Sequence, residues 1–226
     1  MASKVTVKAA FSRRTLLIQP GSNISMTTEI SIRERKDALR KQAHANRNAQ
    51  ENKDDLSRRI VGAFMSLPEY AEAETVMFYI DVRSEVRTRH DLELALQSAK
   101  TIIIPWCNAE GELELFRLDS MDELEVGMYK ILEPRTELRS LPEKQVQVES
   151  LDLIMVPGVG FDRRGGRMGH GKGYYDKLLQ HARKDTPLVA LAFECQVFEE
   201  IPVADHDIYM DKLITEDHVY NGRGRS

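Results

Sequence analysis

Four runs of almost uninterrupted apolar residues, Thr75 to Ile80, Thr101 to Trp106, Leu151 to Val156 and Leu188 to Phe193, constrain this chain more than any other feature. Strands buried on both faces read this way, whereas a strand with one wet face alternates polar and apolar residues. Glu112 to Leu118 does alternate, so it predicts a half-exposed strand. Helical stretches separate the runs, near Asp91 to Ala99 and from Tyr174 to Lys184. Ahead of them, Leu56, Ile60 and Phe64 recur at i, i+4 and i+8 and give a helix over Asp54 to Ser66 an apolar stripe, with Pro68 marking its end. Strands alternating with helices predict an α/β fold: a single three-layer α/β/α domain with a largely parallel or mixed sheet.

With 226 residues, 42% of them hydrophobic, one catalytic domain is expected. A net charge of -4 supplies no basic field for nucleic acid phosphates, and no stretch approaches the ~20 apolar residues of a membrane span. Cys107 and Cys195 have no C-x-x-C spacing and no neighbouring histidine pair, which fits a reducing, cytoplasmic setting without structural zinc. A monomer is expected.

The first 28 residues carry Lys4, Lys8, Arg13 and Arg14 before any acid, the first being Glu29. A basic, serine-bearing start can be a targeting segment. Its longest apolar run, Thr15 to Ile18, is too short for a signal core, so residues 1–28 read as a loosely ordered extension, with Met26 an alternative start. The catalytic domain is then expected over 29–220, with a flexible tail at 221–226. Ser31 and Glu34 form a capping box that predicts a first helix from Ile32, and Lys36 and Arg40 share one face of it.

Chemistry concentrates in Val156 to Asp176, VPGVGFDRRGGRMGHGKGYYD. Ligands of open α/β sheets gather beyond the carboxyl ends of the strands, where helix N-termini offer N–H groups to anions. Gly169, Gly171 and Gly173 let the backbone approach a phosphate, and Arg167 and Lys172 bring charge to it. Gly166, four residues, Gly171 and Lys172 match most of a Walker A motif, but Gly173 stands where Ser or Thr would hold a metal. The G-x-G-x-G spacing gives little support to a dinucleotide site. A loop that merely turns does not need Arg167, His170 and Lys172 among its glycines, or Tyr174, Tyr175 and Asp176 directly after them.

The run Arg167-Met168-Gly169-His170-Gly171-Lys172-Gly173-Tyr174-Tyr175-Asp176 resembles the R-L-G-x-G-x-G-Y-Y-D run of the 5-formyltetrahydrofolate cyclo-ligases, also called methenyltetrahydrofolate synthetases. Pro157 to Asp162 is similar to the P-G-x-x-F-D that precedes it. Lys36 and Arg40 resemble the first-helix K-x-x-x-R element, and Glu85-Val86 with Thr88 resembles the substrate segment. Gly127 with Ile131-Leu132-Glu133-Pro134 resembles the G-x-x-G-I-x-E-P turn, so the likeness runs from about Ser31 to Glu216.

The resemblance implies ATP-driven closure of 5-formyltetrahydrofolate, with or without a polyglutamate tail, to 5,10-methenyltetrahydrofolate, with release of ADP and phosphate. It implies ATP contacts from Lys36, Arg40, Arg167, Met168, Gly169, His170, Gly171, Lys172, Gly173, Tyr174 and Tyr175, with Arg167 and Lys172 acting on the transferred group. Substrate contacts are implied for Glu85, His170, Gly171, Lys172, Gly173 and Tyr174, and Mg²⁺ at Asp176 and Asp211. One or two of Trp106, Phe116, Tyr129 and Tyr174 are expected to build a slot for the flat folate rings. Arg87, where the family commonly has an acid, and His170, where Arg is frequent, depart from the pattern. They keep open a non-catalytic nucleotide- or folate-binding protein of the same fold. A sugar-phosphate isomerase or acyl-CoA transferase of similar build would need a catalytic carboxylate or nucleophile in place of the phosphate loop.

Overall fold

A computed structural model describes residues 22–127, 131–202, 204 and 207–225, with side chains from Ile32 onward. Its centre is an eight-stranded mixed sheet built on the four apolar runs. β1 (Thr75–Met77) lies between β2 (Thr101–Cys107) and β7 (Leu153–Val156) and is parallel to both. β10 (Leu188–Leu191) and β12 (Lys212–Ile214) extend the parallel region beyond β7. Antiparallel strands finish both edges: β13 (Val219–Asn221) beside β12, and β3 (Leu113–Leu118) with β6 (Gln145–Val146) beside β2.

Strand periodicity sends alternate residues to opposite faces, so the apolar runs feed two cores. Val76, Phe78, Ile102, Ile104 and Met155 pack under α2 (Lys53–Met65), α3 (Pro68–Glu72) and α4 (Arg89–Leu96). Met77, Ile103, Ile154, Val156 and Ala190 pack on the other face with Leu179 of α5 (Tyr174–Gln180). This is the expected three-layer arrangement. Ile60 and Phe64 of the predicted α2 stripe are fully buried. Pro68 ends α2 and also opens α3, where its missing N–H costs nothing.

The predicted start of the first helix is overturned. The first helix, α1, spans Ser22–Ala49, so Ser31 lies inside it and is no N-cap, and residues 22–28 are helical. The part of the predicted extension before residue 22 lies outside the described residues. At the other end of the chain Gly222 N–H donates to Asp211 O, Arg223 N–H to Arg164 O, and the Arg225 guanidinium to the carbonyls of Ala182 and Arg183.

Strand order positions the site. From β1 the chain crosses through α4 to β2 on one side, and returns later to β7 on the other. The crevice beyond the carboxyl ends of β1 and β7 is therefore a topological switch point. A smaller sheet of β8 (Gly160–Asp162), β9 (Arg167–Met168) and β11 (Val197–Phe198) grows from the end of β7, and α1 packs on it through Ala43 against Val159 and Met168. A hairpin of β4 (Leu124–Val126) and β5 (Leu132–Pro134) leads to Ile131, Leu132 and Glu133 at the rim.

Candidate active site

A cavity of about 460 Å³ opens at this switch point. Lys36, Arg40, Glu85 and the whole run Arg167 to Asp176 line it. The glycine loop, 169–173, leaves the antiparallel strand β9, not a parallel strand as a P-loop does, and Gly166 belongs to the β8–β9 turn, where its N–H donates to Asp162. The partial Walker A match therefore has no structural counterpart. Gly171 and Gly173 hold φ of 90° and 72°, the left-handed region that side chains avoid, and Gly173 directly precedes α5.

The cations differ in how far their charge is already used. Arg167 is 5% exposed; it donates to Asp176 Oδ1 at 2.5 Å and to Pro157 O at 3.3 Å, while its buried Nε has no partner among the described residues. Arg40 donates through Nε to Gly169 O at 2.9 Å and pairs with Asp37, so its guanidinium lies over Gly171. Lys36 pairs with Asp207 at 2.5 Å. Lys172 is exposed and has no ion pair among the described residues.

The opposite side is less polar. Glu85 is 7% exposed; its Oε2 accepts from Val82 N–H, and its Oε1 lies 3.4 Å from His170 Nε2. His170 stacks, tilted, on His44, whose pKa is lowered by burial and by the charge of Arg47. Burial pushes the phenols of Tyr79 and Tyr175 up, and the Glu85 charge adds to both shifts. Trp106 and Tyr174 line the cavity, with Arg139 stacked on the Trp106 ring at 4.5 Å. Phe116 is a core residue at 1% exposure, and Tyr129 lies outside the described residues.

The model of the 5-formyltetrahydrofolate cyclo-ligase family matches residues 30–216. The chain belongs to that family. A probable 5-formyltetrahydrofolate cyclo-ligase of Schizosaccharomyces pombe is 31% identical over 179 residues, which cover 74% of this chain and 86% of the relative. The NMR structure of the Aquifex aeolicus 5,10-methenyltetrahydrofolate synthetase superposes with a TM-score of 0.71 at 37% identity, covering 84% of this chain and 95% of that one. A Mycoplasma pneumoniae 5,10-methenyltetrahydrofolate synthetase, at 21% identity and a TM-score of 0.62, shares the fold.

Within the cyclo-ligase fold one predicted site residue lies elsewhere. Asp211 is absent from the cavity lining and precedes β12, at the amino end of the parallel strands. Its Oδ2 accepts from Leu188 N–H at 2.7 Å, and Gly224 closes over its Oδ1. Besides Asp176, the aspartate that lines the cavity is Asp207, four residues earlier and missed in the sequence. Its signal was its place before Ile208 to Met210, which carry the chain back to the start of a strand. Arg87 also leaves the site: it pairs with Asp54 of α2 and lines a second, polar recess, while Thr88 hydrogen-bonds to Tyr79 O in the interior. Among the described residues no three His, Cys, Asp or Glu side chains group as a metal site.

Proposed function

We propose that this chain closes 5-formyltetrahydrofolate to 5,10-methenyltetrahydrofolate while ATP becomes ADP and phosphate. The observation that carries the reading is that a cation-bearing glycine loop and an acid beside aromatic walls share one cavity. The first suits a triphosphate. The second suits a flat heterocycle with N–H donors at its edge, which Glu85 can accept.

A formamide oxygen leaves poorly. Moving the γ-phosphoryl group onto it breaks the bond to ADP and makes the oxygen part of a phosphate, so N10 of the same folate can attack the carbon and inorganic phosphate departs. Such transfers need positioning and charge neutralisation more than covalent help. Lys172, with no ion pair among the described residues, can follow the charge on the transferred group, and Arg167 and Arg40 fix the loop around it. Lys36 supplies a further charge from α1. His170 and Tyr174 line the same cavity, where they would contact both substrates.

Mg²⁺ prefers carboxylate oxygens, phosphate oxygens and retained waters, and the two aspartates of the cavity lining offer carboxylates of that kind. Asp176 and Asp207 would hold it, in place of Asp176 and Asp211. Bound there, it would neutralise phosphate charge. No described helix is long and apolar enough to cross a membrane. Both cysteines are free, and the exposed large hydrophobics among the described residues, Leu94, Val126 and Val219, are few, which supports a cytoplasmic monomer. Purified protein given MgATP and 5-formyltetrahydrofolate should develop the near-ultraviolet absorbance of methenyltetrahydrofolate. No change over a range of pH and substrate would overturn the proposal, and ATP hydrolysis independent of the folate would point to another reaction.

A further inference from the structure

Arg47 is a buried guanidinium to which the chemistry above gives no task. It is 1% exposed and sits on α1 behind the cavity wall, outside the lining. Burying a cation is costly unless its donors are used. Its Nε donates to Ser84 Oγ at 3.0 Å and its Nη1 to Gly158 O at 3.3 Å. The Ser84 hydroxyl in turn donates to Asn48 Oδ1 at 2.9 Å, which returns the chain of bonds to α1. One side chain thus ties the segment after β1 to the turn after β7, across the crevice that forms the cavity.

The carboxylate nearest to it is Glu85, with Nη1 and Oε1 3.9 Å apart. That is charge contact without a forked pair of hydrogen bonds. Glu85, which lines the cavity, commits Oε2 to Val82 N–H, and its Oε1 lies 3.4 Å from His170 Nε2, so the longer contact with Arg47 supports the negative charge without using up its acceptor capacity. The other titratable and charged groups around Glu85 are His44 on α1, Tyr79 and Arg83 after β1, and His170 and Tyr175 in the glycine loop and α5.

We propose that Arg47 is the positioning residue of the folate half of the site, acting through Glu85, which it aims into the cavity and charge-balances from behind. The proposal rests on the reading that Glu85 binds the folate heterocycle. It predicts a loss of folate affinity without a loss of ATP affinity, and it makes the effects of Arg47 and Glu85 non-additive.

The test is a double-mutant cycle of Arg47→Met, Glu85→Gln and their combination, repeated with Arg47→Lys in case the methionine variant does not fold. Binding of 5-formyltetrahydrofolate is read from quenching of Trp106, the sole tryptophan, which lines the cavity. Arg47→Met should weaken binding by roughly tenfold or more, the scale of a hydrogen bond to a charged group, with the KM for ATP within about twofold of wild type. Arg47→Lys should recover part of the loss, and the double variant should bind about as well as Glu85→Gln alone. Multiplying losses, or an equal rise in KM for ATP, would reduce Arg47 to scaffolding and overturn the proposal. Wild-type protein that neither binds the folate nor makes methenyl product would overturn the functional reading itself, a result distinct from either.

Discussion

Replacing Asp211 by alanine tests whether this carboxylate serves the metal, as the sequence pattern implies, or the frame, as its surroundings imply. Its Oδ2 accepts from Leu188 N–H at 2.7 Å at the start of β10. A hydrogen bond to a charged group contributes about 1.5–3 kcal/mol, and removing it also leaves a partly buried N–H without its partner. The tail is affected too, because Gly224 packs on the Asp211 side chain, while the bond from Gly222 N–H to the Asp211 backbone carbonyl survives the substitution. A loss of about 2–3 kcal/mol follows, and at about 2–4 °C per kcal/mol for a chain of this size the melting midpoint should fall by roughly 5–10 °C. The assay is thermal unfolding beside a Mg²⁺ titration of turnover at a temperature where the variant is folded. Turnover and its Mg²⁺ dependence should match wild type. A raised Mg²⁺ requirement with an unchanged melting midpoint would refute the reasoning and return Asp211 to the metal.

Lys172→Ala should cut turnover roughly tenfold or more and weaken ATP binding, while folding survives because the side chain is exposed. Asp176→Asn and Asp207→Asn should each lose activity that raised Mg²⁺ partly restores, whereas Lys172→Ala should gain nothing from added metal; equal rescue of all three would count against the assignment. Asp152 gives a pH prediction. Burial works to raise its pKa, but the N–H groups of Thr75 and Glu74 and the Arg183 guanidinium outweigh it and hold the carboxyl below its usual 3.8. A depressed folded-state pKa gives stability that is present above the unfolded value and lost as pH falls through the folded one. Acid unfolding should therefore steepen below about pH 3.8, and Asp152→Asn should be less stable at neutral pH with a flatter acid limb, read by denaturant midpoints at each pH.

The parallel core was legible because burial on both faces leaves a plain mark, an apolar run with no alternation. The runs still overstated β1: Tyr79 and Ile80 continue its apolar pattern but leave the sheet to wall the cavity, a use of apolar residues that composition cannot tell from core. The small sheet of β8, β9 and β11 escaped notice because its strands are two or three residues long, too short for any period. The glycine loop was readable as chemistry, since its residue types are redundant for a turn. Asp207 and Asp211 were not separable, because both are acids near a strand start and the choice depends on which end of the sheet each one reaches. Arg87 looked like a defect in the substrate site for a similar reason: along a segment without a regular period, adjacency to Glu85 does not fix the direction of the side chain.

The bonds that enclose the cavity join parts of the chain far apart in synthesis. Lys36 reaches Asp207 across 171 residues, Arg40 reaches Gly169 across 129, and Arg47 reaches Gly158 across 111. Contacts of such span form late, because the loops they close must first lose their freedom. α1 is synthesised before the glycine loop and Asp207, so its bonds to them can form only once both have been made. A chain interrupted before Asp207 can carry the signature loop complete and still have no partner for Lys36, so partial products of translation should be inert toward ATP, and the competence to spend it should arise in one step near the end of synthesis.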